Sequence, residues 1–95
     1  MRKYEVMVIF DPDTDDQAVT GVIDRVTKLL TDKGGEVSNV DRWGKRRLAF
    51  EIRKKAEGVY TVIEFGAEPA VVTEVERLLT LADEVIRHKV VKRAA

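Results

Sequence analysis

Residues 3–10 read KYEVMVIF, and this stretch is predicted to be the strand around which the chain folds. β-Branched and aromatic residues dominate it, and Asp11-Pro12 ends it, as is typical of a β-strand followed by a turn. Its apolar side chains occupy both faces, which favours a central position in the sheet. Two later stretches of similar character, residues 59–65 and 85–91, predict further strands.

Two amphipathic helices are predicted between the strands. The first runs from a cap at Thr14 or Asp15 to about Lys33, because its apolar residues recur at three- and four-residue steps. The two glycines that follow it suit the left-handed end of a helix. The second helix covers about residues 70–81, and Pro69 is well placed in its first turn.

The remaining strand is predicted over residues 36–53. Leu48, Phe50 and Ile52 occupy alternate positions, as is typical of a strand, and Gly44 predicts a bulge or bend within the strand. A turn over residues 54–58 then leads to the next strand. The complete order is βαββαβ in one domain over residues 1–95, a length that suits a single domain. We therefore predict an α+β, ferredoxin-like fold, in which a four-stranded antiparallel sheet carries both helices on one face.

The charges of the chain are balanced in total but segregated along the sequence. The chain has 17 Lys+Arg and 17 Asp+Glu, and this zero net charge by itself argues against a nucleic-acid partner. The local balance is −4 over residues 1–41, +6 over 42–55, −6 over 56–86 and +4 over 87–95. Segregated charge produces local potential even when the total vanishes, so the two basic segments point to an anionic partner.

The sequence offers no catalytic or metal-binding arrangement. It has no Cys, one His and one Ser, and no nucleophile motif. The acidic run from Asp11 to Asp16 lacks the later Gly and Glu of a calcium loop, so we interpret it as a helix cap and a solvated turn. This loop would also repel the phosphate of an acyl-phosphate substrate. His88 lies among cations and is expected at the surface or in an interface. We predict a protein that is not an enzyme and has no metal, cofactor or small-molecule substrate.

The N-terminal sequence alternates apolar and charged residues and does not resemble a signal peptide. No stretch approaches the ~18–20 apolar residues of a membrane span, so we expect no membrane association.

The most informative basic segment is residues 42–47, RWGKRR. The fork of a guanidinium group matches phosphate oxygens with two parallel hydrogen bonds, and Trp43 could stack on an unpaired base. Alternatively, the segment is a solvated edge strand protected by charge, and Trp43 fills space in the core. Together with the second basic segment at residues 87–93, the pattern favours RNA binding slightly.

The usual RNA-binding sheet face requires aromatic residues at alternating positions of its central strands. When Gly58 is aligned with the glycine of that pattern, Val59 and Thr61 occupy the aromatic positions and Tyr60 falls one step out. We therefore expect RNA to be held through phosphates, shape and strand edges rather than by bases stacked across the sheet.

Four segments give the chain a resemblance to a known family: MRKYEV at residues 1–6, DRWGKRRLAFEI at 41–52, GVY at 58–60 and RHKVV at 87–91. Over nearly its whole length the chain resembles the bacterial small-subunit ribosomal protein six family. The resemblance implies a structural protein of the cytoplasmic ribosome that binds the central domain of 16S ribosomal RNA together with ribosomal protein eighteen. It assigns RNA or partner contact to Arg2, Lys3, Lys45, Arg46, Arg47, Arg87, Lys89, Lys92 and Arg93, and the character of the basic segment adds Arg42 and Trp43.

The chain departs from the family pattern at two places. Phe50-Glu51-Ile52 stands where members commonly have Tyr-Pro-Ile, and the sequence ends at Arg93-Ala94-Ala95 where many have a longer tail. The alternative function is a small ferredoxin-like module for protein–protein interaction or ligand sensing, whose sheet edge pairs with another chain.

Overall fold

A computed structural model describes residues 1–93 of the chain. The elements follow in the predicted order, βαββαβ. Residues 94 and 95, which the prediction included in the single domain, lie outside the described residues. The strands are β1 (Arg2–Phe10), β2 (Glu36–Ile52), β3 (Lys55–Ala67) and β4 (Val85–Lys92), and the helices are α1 (Asp16–Asp32) and α2 (Pro69–Leu81).

The four strands form one antiparallel sheet in the order β2-β3-β1-β4. β1 pairs with β3 along its whole length, from Arg2 opposite Ala67 to Phe10 opposite Val59. β4 pairs with the other edge of β1. The predicted central position of β1 is thus confirmed, and β2 and β4 are the two edge strands.

The two helices cover one face of the sheet, which confirms the predicted ferredoxin-like fold. Alternate residues of β1 from Tyr4 to Phe10 are buried in the same core as Leu30 of α1 and Leu79 of α2. Each such fully buried apolar side chain stabilises the fold by about 1.5–3 kcal/mol. On the opposite face, Ile9 packs in a smaller apolar cluster, so β1 is apolar on both sides as predicted. The core members on β1 are Tyr4, Val6, Val8 and Phe10.

The acidic loop between β1 and α1 uses its carboxylates within the fold. Asp15 is the N-cap of α1, and its side chain accepts a hydrogen bond from the backbone N–H of Ala18 at 2.8 Å. Asp11 accepts one from the backbone N–H of Asp13, also at 2.8 Å. At the other end of α1, Gly34 has a φ of 82°, the left-handed conformation expected there. The interpretation of this loop as a cap and a turn is confirmed.

The hairpin between β2 and β3 is tighter than predicted. Arg53 and Lys54 form a two-residue turn with φ values of 51° and 65°, and β3 already begins at Lys55. The predicted turn over residues 54–58 is therefore wrong. Turns with two positive φ angles usually contain Asn or Gly, and neither residue type marks this one.

β2 is irregular at three points, the first of which is a register shift between Val37 and Asn39. The pairing register shifts between Arg42 and Gly44, and Gly44 has a φ of 81°, which confirms the predicted bulge. A third shift, between Arg47 and Ile52, makes residues 48–51 bulge away from β3. Phe50 lies in this bulge and is 64% exposed.

Two glycines, Gly58 on β3 and Gly21 on α1, allow a matched test of how much space the fold leaves for a Cβ atom. A Cβ on Gly58 would lie 2.4 Å from Cγ2 of Ile9, whereas a Cβ on Gly21, in the middle of α1, would meet nothing within 4 Å. We expect Gly58→Ala to lower the free energy of unfolding by about 1–3 kcal/mol through overpacking. Gly21→Ala should raise it by about 0.5–1 kcal/mol because alanine favours the helix. Urea unfolding of both variants checks the prediction, and equal effects would contradict it.

Thr61 is the one polar residue in the core of the described chain, and its hydroxyl has no hydrogen-bond partner among residues 1–93. Valine has nearly the same shape without the hydroxyl. We expect Thr61→Val to raise the free energy of unfolding by about 1 kcal/mol, because an unsatisfied buried polar group is removed. Thr61→Ser, which keeps the hydroxyl and loses the methyl group, should lower it. Denaturant unfolding measures both, and a Thr61→Val variant less stable than the parent would refute this account.

Lys55 connects the hairpin to the acidic loop. Its ammonium donates a hydrogen bond to Asp13 at 3.1 Å and lies 4.0 Å from Asp11. This hydrogen bond, together with the charges of both carboxylates, raises the pKa of Lys55 above its ordinary value of 10.5. Because the folded-state pKa is the higher one, the stabilisation is complete below pH 10.5 and is lost as the pH rises through the raised pKa.

We expect Asp13→Asn to return the pKa of Lys55 toward its ordinary value, since the charged acceptor is lost. NMR titration of the Lys55 side chain measures the change. Asp32→Asn is the control, because that carboxylate pairs with Lys28 instead. A pKa of Lys55 that is the same in both variants would contradict the assignment.

Candidate nucleic-acid interface

The face of the sheet opposite the helices is not covered by any other element of the described chain. On β1, Lys3, Glu5, Met7 and Ile9 lie on this open face, because strand side chains alternate and the intervening residues are in the core. β4 contributes residues from the same side, with Lys89 opposite Met7. The open face is therefore mixed, with charged residues around an apolar centre.

An apolar cavity of about 200 Å³ lies on the open face, where the bulged part of β2 approaches β1 and β4. Phe50 forms one wall, and the guanidinium of Arg87 lies over its ring, 5.8 Å from the centroid. Such a cation–π contact stabilises by about 0.5–1 kcal/mol at an exposed site. The walls are formed by Met7, Ile9, Leu48, Ala49, Phe50, Ile52, Tyr60, Arg87, His88 and Lys89.

Trp43 stands at the β2 bulge and does not belong to the core. Its ring stacks on Tyr60, with centroids 5.9 Å apart and planes 7° from parallel. The indole N–H donates a hydrogen bond to Asp41 at 2.9 Å. The residue is 41% exposed, so the interpretation of Trp43 as a filler of core space is wrong. The glycine that follows it shifts the register of β2 and lets the ring lie over the neighbouring strand.

The arginines of residues 42–47 differ in what they contact. Arg42 turns toward α1, where it pairs with Asp16 and donates a hydrogen bond to Thr20 at 3.0 Å. Lys45, Arg46 and Arg47 are exposed, and none of them pairs with a carboxylate within residues 1–93. The charge of Arg42 is thus neutralised inside the protein, whereas the other three cations face solvent.

A second and wider cavity, of about 670 Å³, opens beside Trp43. Its walls combine the aromatic pair with the guanidinium groups of this segment and one carboxylate. A shallow site of this kind suits a flexible anionic chain better than a small enclosed ligand. The lining residues are Asp41, Arg42, Trp43, Arg46, Arg47 and Tyr60.

The basic residues of β4 lie at the opposite edge of the sheet. Arg87 and Lys89 are exposed on the open face, and Lys92 is exposed near the strand end. Arg93 pairs with Glu5 and Glu64, so its charge is partly balanced. The structure therefore does not unite the predicted residues in a single patch but places two basic groups at the two edge strands.

The N-terminal cations are accessible as well. Arg2 and Lys3 are exposed at the start of β1, where Lys3 lies opposite Gly66. His88 is half-buried, with Val8 as its pairing partner, which agrees with the expected surface or interface position.

Sequence reasoning missed the role of Tyr60. The residues on either side of it, Val59 and Thr61, pair with Phe10 and Val8 and point toward the helices, so Tyr60 points to the open face. A signal for this orientation was present in the sequence. Thr61, Ile63 and Phe65 occupy alternate positions that are buried in the core, and this alternation places Tyr60 on the other face of β3. Asp41 was missed although residues two apart on a strand share a face, which places its carboxylate beside the indole.

Within residues 1–93, no group of three or more His, Asp and Glu side chains is arranged to hold a metal ion. Neither helix of this part of the chain has the length and apolar character needed to cross a membrane.

Comparison with known proteins gives one consistent result. The family described as Ribosomal protein S6 matches residues 3–92. Small ribosomal subunit protein bS6 of Streptomyces coelicolor is 50% identical over 92 residues, which cover 97% of this chain and 96% of that protein. The corresponding protein of Moorella thermoacetica is 47% identical, with coverages of 97% and 94%.

Solved structures agree with the sequence relatives. The crystal structure of 30S ribosomal protein S6 from Thermotoga maritima has a TM-score of 0.89 and 33% identity, covering 97% of this chain and 87% of that one. The C-terminal domain of the MgtC protein from Mycobacterium tuberculosis has a TM-score of 0.66 at 16% identity, covering 98% and 88%, and shares the fold alone.

These findings confirm the resemblance seen in the sequence. The relatives are structural proteins of the ribosome, which confirms the prediction that the chain is not an enzyme. Both the family match and the high identity extend over nearly all of the chain. The chain therefore belongs to the ribosomal protein S6 family.

Proposed function

We propose that this protein binds the central domain of 16S ribosomal RNA together with ribosomal protein eighteen. The observation that carries the proposal is a group of three exposed cations on edge strand β2, Lys45, Arg46 and Arg47, which pair with no carboxylate within residues 1–93 and lie beside an exposed aromatic ring. Phosphate contacts from such side chains supply most of the affinity and orient the protein on the nucleic acid.

Family membership places the protein in the small subunit of the cytoplasmic ribosome, as the sequence resemblance implied. It favours this role over the alternative of a ligand-sensing or protein-interaction module. The likeness to the MgtC domain, which is one of fold at 16% identity, does not support such a module.

The internal ion pairs support the assignment of Lys45, Arg46 and Arg47 to RNA. Two carboxylates near the sheet pair with other cations: Asp16 binds Arg42, and Asp13 binds Lys55. The cations of residues 45–47 keep their full charge for an external anion. This local excess explains how a chain with zero net charge can attract phosphate.

We assign the apolar cavity around Phe50 to the protein partner. The centre of a protein interface is poor in charge and rich in aromatic residues, with polar residues at its rim. Phe50 is 64% exposed next to this cavity, and Arg87 and Lys89 stand at its border. The two basic groups then serve different partners, with β2 facing RNA and β4 surrounding the protein contact.

We expect Arg46→Ala combined with Arg47→Ala to weaken binding to central-domain 16S RNA in the presence of ribosomal protein eighteen. For about four to five phosphate contacts, affinity should fall with salt at a log–log slope near −3 to −4. Loss of two contacts should flatten this slope by about 1.4, at roughly 0.7 per contact. Binding isotherms at several salt concentrations give both slopes.

The matched control removes two arginines from the helix layer. Arg25 on α1 and Arg77 on α2 are exposed and pair with no carboxylate within residues 1–93. Arg25→Ala combined with Arg77→Ala should change the net charge equally and leave the slope unchanged. Equal slopes for both double variants would remove Arg46 and Arg47 from the interface, and absence of RNA binding by the parent protein would overturn the proposed function.

A further inference from the structure

We propose that Trp43 stacks on one unpaired base of the bound RNA, an inference that rests on the proposed RNA binding. The site consists of the outer face of the indole, with Arg46 and Arg47 beside it. It adds a position that contacts a base to an interface otherwise made of phosphate contacts.

The indole ring is held on one side and open on the other. Its inner face stacks on Tyr60 at 5.9 Å, and Asp41 accepts the N–H hydrogen bond at 2.9 Å. These two contacts hold the position and the rotation of the ring. With 41% of the residue exposed, a planar partner can still approach the outer face. A side chain that is already ordered loses little conformational entropy when it binds, so the ring is preorganised for stacking.

The charges around the ring favour a nucleotide. Arg46 and Arg47 line the same cavity as Trp43 and have no carboxylate partner within residues 1–93. Asp41 is the acidic group of the cavity; one of its carboxylate oxygens accepts the indole N–H, and its single negative charge is outweighed by the charges of Arg46 and Arg47. Unpaired cations next to an aromatic face are the combination by which proteins hold single-stranded nucleic acid.

A base fits this cavity better than a side chain of a protein partner does. Three arginines and an aspartate line it, whereas the centres of protein interfaces are depleted of charge. The apolar cavity at Phe50 has the composition that a protein contact requires. The two cavities therefore differ in the partner that they suit.

The sole tryptophan of the chain makes the proposal directly measurable. Protein labelled with fluorotryptophan gives a single fluorine NMR resonance, which is observable in the presence of unlabelled ribosomal protein eighteen. We expect this resonance to shift when central-domain 16S RNA is added. A fully paired RNA duplex should leave it in place, because it offers no unpaired base.

Two substitutions separate stacking from charge. We expect Trp43→Leu to lower the affinity for central-domain RNA about 5- to 150-fold, the range typical of one lost base–aromatic stack. The salt slope should stay the same, because no phosphate contact is lost. Trp43→Phe keeps an aromatic ring and should retain most of the affinity. Leu81→Ala, at an exposed apolar residue at the end of α2 and outside both cavities, should leave both the RNA affinity and the fluorine shift unchanged.

The outcomes distinguish this proposal from the proposed function. Normal RNA binding with an unshifted resonance, or with an unchanged affinity of Trp43→Leu, overturns the stacking role and leaves RNA binding intact. A resonance that shifts with ribosomal protein eighteen alone, without further change when RNA is added, assigns Trp43 to the protein partner and overturns the proposal. Absence of RNA binding by the labelled parent protein overturns both proposals.

Discussion

The pairing of β1 along both of its edges is the constraint on which the rest of the structure depends. It places β1 in the middle of the sheet, so that its alternate residues from Tyr4 to Phe10 are sealed beneath the helices. The same alternation sends Met7 and Ile9 to the uncovered face. The surface that we propose to be functional consists of positions that the core does not use, and its layout follows from the register of the central strands.

Internal ion pairs then decide which charges remain for a partner. Arg42 forms an ion pair with Asp16, Lys55 with Asp13, and Arg93 with glutamates of the sheet. Each exposed pair contributes little to stability, about 0–1 kcal/mol. Their effect on the surface potential is larger, because they neutralise some cations and leave Lys45, Arg46 and Arg47 without a carboxylate partner within residues 1–93. The zero net charge of the chain conceals this selection.

The sequence predicted the features that depend on local patterns. The order of elements, the cap at Asp15 and the bulge at Gly44 each have a signature in residue type or periodicity. The turn at residues 53–54 was placed too late, because Arg and Lys rarely adopt left-handed conformations. This error did not affect the topology, since the hydrophobic alternation of β3 still specified its strand.

The features of the site that were missed depend on contacts between elements. The stack of Trp43 on Tyr60 requires the register between two strands, and the bulge alters that register in a way that no local pattern reveals. The different roles of Arg42 and Arg46 depend on the position of α1. Two arginines four residues apart look alike in the sequence, but the bulge between them places them opposite Thr61 and Gly58, on different faces of the sheet.

The position of the cations on an edge strand has a further consequence for the free protein. β2 is 17 residues long, and its outer edge presents backbone groups that another strand of the same kind could pair with. Closely spaced positive charges at residues 45–47 and the bulge at Gly44 oppose such self-association, because like charges repel and a bent edge pairs poorly. The side chains that we propose to bind RNA thus also disfavour edge-to-edge pairing between free copies of the protein.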